Sequence, residues 1–551
     1  MSNKNTNLQK TLNLAVQNHK KGNLDLAEEL YIKTLKINPD HERSIYLLST
    51  LYLHKKNYVE TIKLSNRALE NNPNAIHIIH NLGYGLIQIG KHEEAMKSFY
   101  KIIDIEPSYV EAYYNLGNIC KYLGKSLKAE KYYKKAIELQ PNNPRAYNNF
   151  GNILKDLGKF KEAIKSYEKA IKLNPKHVNA YYNLGNAYKE SGELSKAKVS
   201  YESALRINPS NLEILFIKLE LNKESINKAL KKKIEDAIKN INLSNRDLAF
   251  ANFILSRFEQ QRSEYEKEFS YLIKAQLYLY KWGSKIKYEE GVNYWINKIP
   301  SNKQLMNLKK IKEHSHIKPI FIVGVPRCGS TLVEKIIASG KINIPIGEET
   351  QVISLAAEKI IQENKSFNSE LEYLKKEIVN NYGEKGLLSG EEKIFTDKSL
   401  DNFFFIGLIK EIFPKAKIIN CKRNVVASIM SILQNNLSEV SWAHDIDHIF
   451  KFFDIYFSKI NSFKEIYPDI IYELELEKFV ANPETEAEKL IKFCELPWDK
   501  KCLEFYKRKD FVSRTASNVQ IRKPVYQDPI NKHEVYKQYL NKYGKKYSWF
   551  K

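Results

Sequence analysis

Phe321 to Gly340, FIVGVPRCGSTLVEKIIASG, holds the residues whose types and spacing could do chemistry. Apolar residues run into a turn containing Pro326 and two glycines, and an amphipathic helical pattern comes next. A strand that ends this way delivers an oxyanion to a helix N-terminus, where backbone N–H groups and the helix dipole attract negative charge. Gly329 lets those N–H groups converge, Ser330 and Thr331 offer hydroxyls, and Arg327 supplies a full cation. Gly324, four residues and Gly329 are followed by Ser330, where a nucleoside triphosphatase loop carries lysine.

Such a loop needs a strand before it and a helix after it. From Ile317 short β-branched runs alternate with helical patterns: Ile320–Val323, Ile394–Asp397, Lys417–Arg423 and Ile470–Leu476. This order predicts a parallel sheet with helices on both faces, and ligands bound beyond the carboxyl ends of the strands. A triphosphatase also wants a carboxylate for Mg²⁺ at the end of a nearby strand. The run KIINCKR ends instead in Cys, Lys and Arg, so a kinase or ATPase is disfavoured and no metal is expected. A sulfuryl group, with one negative charge fewer than a phosphoryl, suits transfer by protein cations alone.

Residues 1–215 read differently. Prolines fall at Pro39, Pro73, Pro107, Pro141, Pro175 and Pro209, each 34 residues after the last. Gly83, Gly117, Gly151 and Gly185 keep that step, as do Ala95, Ala129, Ala163 and Ala197, and Phe99, Tyr133, Tyr167 and Tyr201. Small residues let two antiparallel helices approach, an aromatic fills the gap, and proline ends the second helix. The unit resembles the tetratricopeptide repeat over about six copies, the first two degenerate. That resemblance implies a groove holding a protein or peptide. Asn81, Asn115, Asn149 and Asn183 recur in register, with Asn118, Asn152 and Asn186 three residues on. Such a row could clamp a peptide backbone, or it could simply belong to the repeat pattern. Residues 216–312 read as a helical connector with a worn hairpin, and residues 313–551 as the α/β domain.

Composition sets bounds on partners and setting. The 551 residues carry a net charge of +23, but the excess lysine is spread among acidic residues along helices, so nucleic acid is not expected. Five scattered cysteines form no CxxC pair, and no apolar run is long enough for a signal peptide or a membrane span. A reduced, cytoplasmic setting is expected, with oligomeric state open.

The loop and the segments after it resemble the sulfotransferases that use 3′-phosphoadenosine 5′-phosphosulfate (PAPS), nearest the protein-tyrosine sulfotransferases and bacterial proteins joining tetratricopeptide repeats to such a domain. The resemblance implies that Arg327, Cys328, Gly329, Ser330 and Thr331 cradle the 5′-phosphosulfate. Arg423 and Ser431, eight residues apart in CKRNVVASIMS, match the family's 3′-phosphate site; a guanidinium fork and a hydroxyl suit a phosphate. GEET at 347–350 matches the family's base motif and implies Glu349 as base, with Glu348 as runner-up. TDKSLDNFFF implies Lys398 at the leaving oxygen. RTASNVQIRKPVY and the residues after it imply Ser517 as a transition-state helper and Lys532, with Lys523, as cofactor contacts.

The chain also departs from that pattern. Cys328 stands where serine is usual, Leu476 where a tyrosine precedes the motif glutamate, and Asn435 where an arginine would help. Gln351 and Leu355 replace arginines that read acidic flanks of peptide tyrosines. Transfer from PAPS to a hydroxyl is therefore the leading expectation, with protein tyrosine, glycan and small molecule all open as acceptors. A non-catalytic repeat scaffold with a degenerate sulfotransferase domain is the alternative.

Overall fold

The computed structural model describes residues 2–222, 224–239, 242–283, 285–299, 301, 303–305, 308, 311, 316–388, 393–508, 522, 524–525 and 533–550. Its contacts divide it into two compact units, Met1–Ala187 and Tyr188–Lys551.

The first unit is a run of antiparallel helix pairs. The second helices of successive pairs end at Ile37, Asn71, Ile105, Leu139 and Leu173, two residues before each spaced proline. Proline has no N–H to continue the ladder, so each helix stops there. The glycine step is a packing requirement: a Cβ on Gly117 would stand 2.9 Å from the Tyr133 ring, and one on Gly151 2.6 Å from Tyr167. Ala95, Ala129 and Ala163, with Phe99, Tyr133 and Tyr167, are fully buried at the same register. In the second pair Ser65 occupies the aromatic's position, which is the degeneracy visible in the sequence.

The asparagine row is engaged inside the array. Asn81 donates to the hydroxyls of Ser49 (2.7 Å) and Thr50 (3.0 Å), Asn149 to Tyr114 (2.9 Å) and Asn118 (3.2 Å), and Asn183 to Asn148 (2.9 Å). Asn118 and Asn152 accept from the hydroxyls of Tyr133 (2.6 Å) and Tyr167 (2.8 Å). Asn81, Asn149 and Asn183 stitch one hairpin to the next, and Asn118 and Asn152 tie the two helices of their own hairpin to each other, since a half-buried amide must find partners. Of the two sequence readings, the repeat-pattern one describes these bonds.

The second unit carries a four-stranded, wholly parallel sheet: β1 (Lys318–Gly324), β2 (Ile394–Asp397), β3 (Lys417–Lys422) and β4 (Ile471–Glu475), ordered β2-β1-β3-β4. The four apolar runs became these strands with their ends shifted by no more than two residues. β1 is buried from Pro319 to Gly324 and β3 from Ile418 to Cys421, so the central strands are covered on both faces, as parallel sheets are. The chain leaves β1 toward β2 and then returns past it to form β3 on the other side. That reversal opens a crevice beyond the carboxyl ends of β1 and β3.

A helical hairpin, α1 (Asn245–Gln260) and α2 (Tyr265–Trp282), precedes the sheet. The expectation of a mechanical connector understates it. Phe250, Phe253, Ile254 and Leu272 lie in one continuous apolar core with the strands and with Leu540 and Phe550 near the end of the chain. α3 (Ser330–Ile337) follows β1, α4 (Val352–Gln362) follows the GEET turn, and α5 (Val425–Leu433) follows β3. Among the described residues no helix is long and apolar enough to cross a membrane.

Candidate active site

The turn between β1 and α3 is held by three residues in left-handed conformations: Gly324 (φ 153°), Arg327 (φ 72°) and Gly329 (φ 92°). At Gly324 a Cβ would stand 2.7 Å from the Cys421 carbonyl oxygen on the paired strand, and at Gly329 2.7 Å from the Leu476 side chain. Only glycine lets the turn lie this close to β3 and to Leu476, just after β4. A left-handed arginine is strained, and surroundings that enforce such strain cluster at functional sites.

Arg327 is fixed from two sides. Its Nε donates to the Ser431 hydroxyl at 3.0 Å, and Arg423 Nη1 donates to its carbonyl oxygen at 3.2 Å. Arg423 follows β3, and Ser431 lies on α5. Asn424 caps α5 by accepting from the Ala427 N–H at 2.9 Å, which turns the chain sharply after Arg423. Arg327 from one segment and Arg423 and Ser431 from another thus meet at the crevice between β1 and β3. Cys328 is fully buried, and its thiol faces that of Cys421, whose hydrogen bond pulls the Cys328 thiol down against the upward push of burial. Ser330 and Thr331 are nearly buried in the first turn of α3.

The GEET turn is pinned to the end of β2. Gly347 N–H donates to the Thr396 carbonyl at 2.9 Å, Thr396 N–H donates back to Pro345 at 3.0 Å, and Lys398 N–H reaches the Glu348 carbonyl at 2.7 Å. A Cβ on Gly347 would collide with the Thr396 carbonyl oxygen. Asp397 is the fully buried anchor: Thr350 and Tyr382 donate hydroxyls to its Oδ2, and the Ser399 N–H donates to its Oδ1 at 2.8 Å.

This clamp separates the two glutamates. Glu349 remains 53% exposed and accepts from Lys398 Nζ at 2.8 Å, while the Lys398 side chain is only 1% exposed. Glu348 turns inward, its Oε1 3.5 Å from the buried Lys335 ammonium. Burial alone would lower the Lys398 pKa, but Glu349, Glu334 and Glu348 together hold it above the ordinary lysine value. Asp401 stands nearby, its carboxyl pushed up to about 6 by burial, with a Ser354 hydrogen bond opposing and Asp397 and Glu349 reinforcing the shift.

Several further residues support the site, and of these Gln276 and Glu268 carried no sequence signal. Glu477, directly after Leu476, accepts from the Asn424 N–H at 2.9 Å and so steadies the turn carrying Arg423. Asn435 donates to the Ser431 carbonyl at 2.7 Å, a helix-end role in place of the expected cation. Gln276 of α2 donates to the Leu433 carbonyl at 2.8 Å and the Asn435 carbonyl at 3.1 Å, capping the C-terminus of α5. Glu268 of α2 accepts from Gln434 at 3.0 Å and from the Tyr536 hydroxyl at 2.6 Å. Leu355 is 59% exposed on α4. Ser517, Lys523 and Lys532 lie outside the described residues.

Comparison with known proteins agrees with this architecture. Residues 319–500, from β1 past β4, match the family model described as the sulfotransferase family. Residues 76–109, 110–143, 132–165, 151–192 and 178–211 match models of the tetratricopeptide repeat. The chain therefore joins tetratricopeptide repeats to a sulfotransferase-family domain.

Among individual proteins, an uncharacterized protein of Aquifex aeolicus (strain VF5) is 30% identical over 312 residues, which cover 53% of this chain and 40% of that protein. The chain thus spans well under half the length of that curated relative. Of solved structures, MamA is 25% identical with a TM-score of 0.28, covering 30% of this chain and 97% of that one. YrrB, described as a tetratricopeptide-repeat protein with an unusual peptide-binding site, is 23% identical with a TM-score of 0.30 over 34% of this chain and 97% of its own.

Proposed function

We propose that the chain is a sulfotransferase moving the sulfuryl group of PAPS to a hydroxyl acceptor recruited by the repeats. The observation that carries this reading is the convergence of Arg327, Arg423 and Ser431 at the carboxyl ends of β1 and β3. The donor's two phosphorylated positions need two separate cationic contacts, and the two arginines supply them beside a helix N-terminus. The turn at 327–331 takes the 5′-phosphosulfate, with Cys328 contributing its backbone. Arg423 and Ser431 take the 3′-phosphate. The family match over 319–500 supports the same reading.

Glu349 is the base and Lys398 the leaving-side cation. The acceptor hydroxyl gives its proton to the Glu349 carboxylate as its oxygen bonds to sulfur. The bond from sulfur to the bridging phosphate oxygen breaks, and Lys398 offsets the charge left there. The products are the sulfated acceptor and adenosine 3′,5′-bisphosphate. Ser517 as a transition-state helper and Lys532, with Lys523, as donor contacts complete the reading from the C-terminal segment, and Glu348 is kept as the alternative base. Protein tyrosine is one acceptor this chemistry admits. Five buried, unbridged cysteines support a reducing, cytoplasmic setting.

Calorimetric titration with adenosine 3′,5′-bisphosphate, with ATP as comparator, tests the donor site. Preferential binding of the bisphosphate is expected, and its absence sinks the reading. Label transfer from radiolabelled PAPS to a cell lysate tests turnover; binding without transfer would leave a non-catalytic scaffold.

A further inference from the structure

Glu334 lies on α3, four residues past the start of the helix that begins at the anion turn. It is fully buried, yet neither the donor site nor the base uses it directly. Its Oε1 accepts from the Glu348 N–H at 3.0 Å and from the Thr396 hydroxyl at 2.9 Å. Its Oε2 is buried without a hydrogen-bond partner. Lys335, Lys398 and Glu348 are the charged groups around it, and burial raises its pKa above the ordinary carboxylate value despite the two lysines.

Glu348 holds a left-handed backbone conformation (φ 52°), which a non-glycine residue keeps only where neighbours enforce it. Two neighbours do so. Glu334 takes the Glu348 N–H from the α3 side, and the Lys398 N–H takes its carbonyl oxygen at 2.7 Å from the β2 side. With that residue clamped at both ends, the next one, Glu349, projects outward onto Lys398 Nζ. The same helix begins at the anion turn, so one rigid element sets both the donor cradle and the base.

We propose that Glu334 is a positioning residue that couples the anion turn to the placement of Glu349 through the Glu348 backbone. The inference rests on the sulfuryl-transfer reading. It requires an acceptor oxygen at Oε1, and it assigns no task to the second oxygen. An amide therefore does the same work, while an alkyl group of similar size does not. A fully buried carboxyl with an unpartnered oxygen is costly to the fold, and a coupling role accounts for its presence.

The test compares Glu334→Gln and Glu334→Leu with the wild type in the full chain. Three quantities are measured: adenosine 3′,5′-bisphosphate affinity by calorimetry, initial label transfer from saturating PAPS to a lysate, and Tm. Glu334→Leu is expected to slow transfer roughly ten- to a hundredfold, the scale of a small misplacement of a reacting group. Its bisphosphate affinity should stay within about twofold of wild type, and Glu334→Gln should restore most of the rate. Equal loss in both variants, or bisphosphate affinity falling in step with the rate, would overturn the coupling; so would an unaffected Glu334→Leu. Should the leucine variant fail to fold, a Glu334→Gln rate more than about tenfold below wild type decides against it. A wild type that binds no bisphosphate defeats the donor reading itself, whereas normal wild-type turnover with an indifferent Glu334→Leu defeats only the coupling.

Discussion

Arg327 and Ser431 stand 104 positions apart in the chain, and the arginine Nε donates to the serine hydroxyl at 3.0 Å. With Arg423 holding the Arg327 carbonyl, the residues assigned to the two ends of a doubly phosphorylated nucleotide form one hydrogen-bonded group. Arg327→Ala and Arg423→Ala should each weaken adenosine 3′,5′-bisphosphate binding by about 1–3 kcal/mol, the scale of a charged hydrogen bond lost. Calorimetry at fixed ionic strength checks this. Unchanged affinity in both variants would remove the crevice as the donor site.

Glu349→Gln keeps the size and the hydrogen-bonding oxygen opposite Lys398 but cannot take up a proton. Transfer from PAPS should fall by about 10²–10⁴, the usual share of a general base, with bisphosphate affinity retained. Glu348→Gln should be much milder, because Glu348 faces Lys335 rather than the crevice. If Glu348→Gln is the more damaging of the two, the roles are reversed.

Gly347 has no room for a side chain, since a Cβ would strike the Thr396 carbonyl. Gly347→Ala should destabilise the chain by about 1–3 kcal/mol, as overpacking does. It should also lower transfer more than bisphosphate affinity, because the displaced turn carries Glu349. Thermal unfolding and the two site assays together check this.

His444 donates from Nδ1 to Gln276 Oε1 at 2.8 Å, and its buried Nε2 has no hydrogen-bond partner. Burial lowers its pKa from 6.5 to about 4. The unfolded chain therefore binds the extra proton first, and stability is lost as pH falls from 6.5 toward about 4. At about 1.4 kcal/mol per unit of pKa, the upper bound is about 3 kcal/mol. His444→Gln should flatten this part of the pH dependence of unfolding by denaturant. A slope equal to that of wild type would show that the histidine is not held neutral.

The repeats were legible because their unit is local. A glycine, an alanine, an aromatic and a proline at a fixed step dictate a hairpin whose contacts lie within one or two periods. The strands were legible for a similar reason, as apolar runs between turn signals, and their parallel order came from the helices between them. The asparagine row shows the limit of that reading. Its periodicity was plain, but whether its amides face a guest or a neighbouring hairpin depends on helix packing, and they bond to the neighbour.

The sequence by itself determined the repeat array, the parallel sheet and the residue types around an anion turn, because each is written in local pattern or in a recognisable motif. Only the tertiary structure decided which of two adjacent glutamates meets Lys398, and that decision lies in backbone hydrogen bonds from β2 and a buried carboxyl on α3. It alone drew in Glu334 and Gln276, whose partners lie far beyond a helical turn in the chain and whose spacing repeats nothing. Such residues act through burial and direction, properties a side chain acquires only once the elements around it have packed.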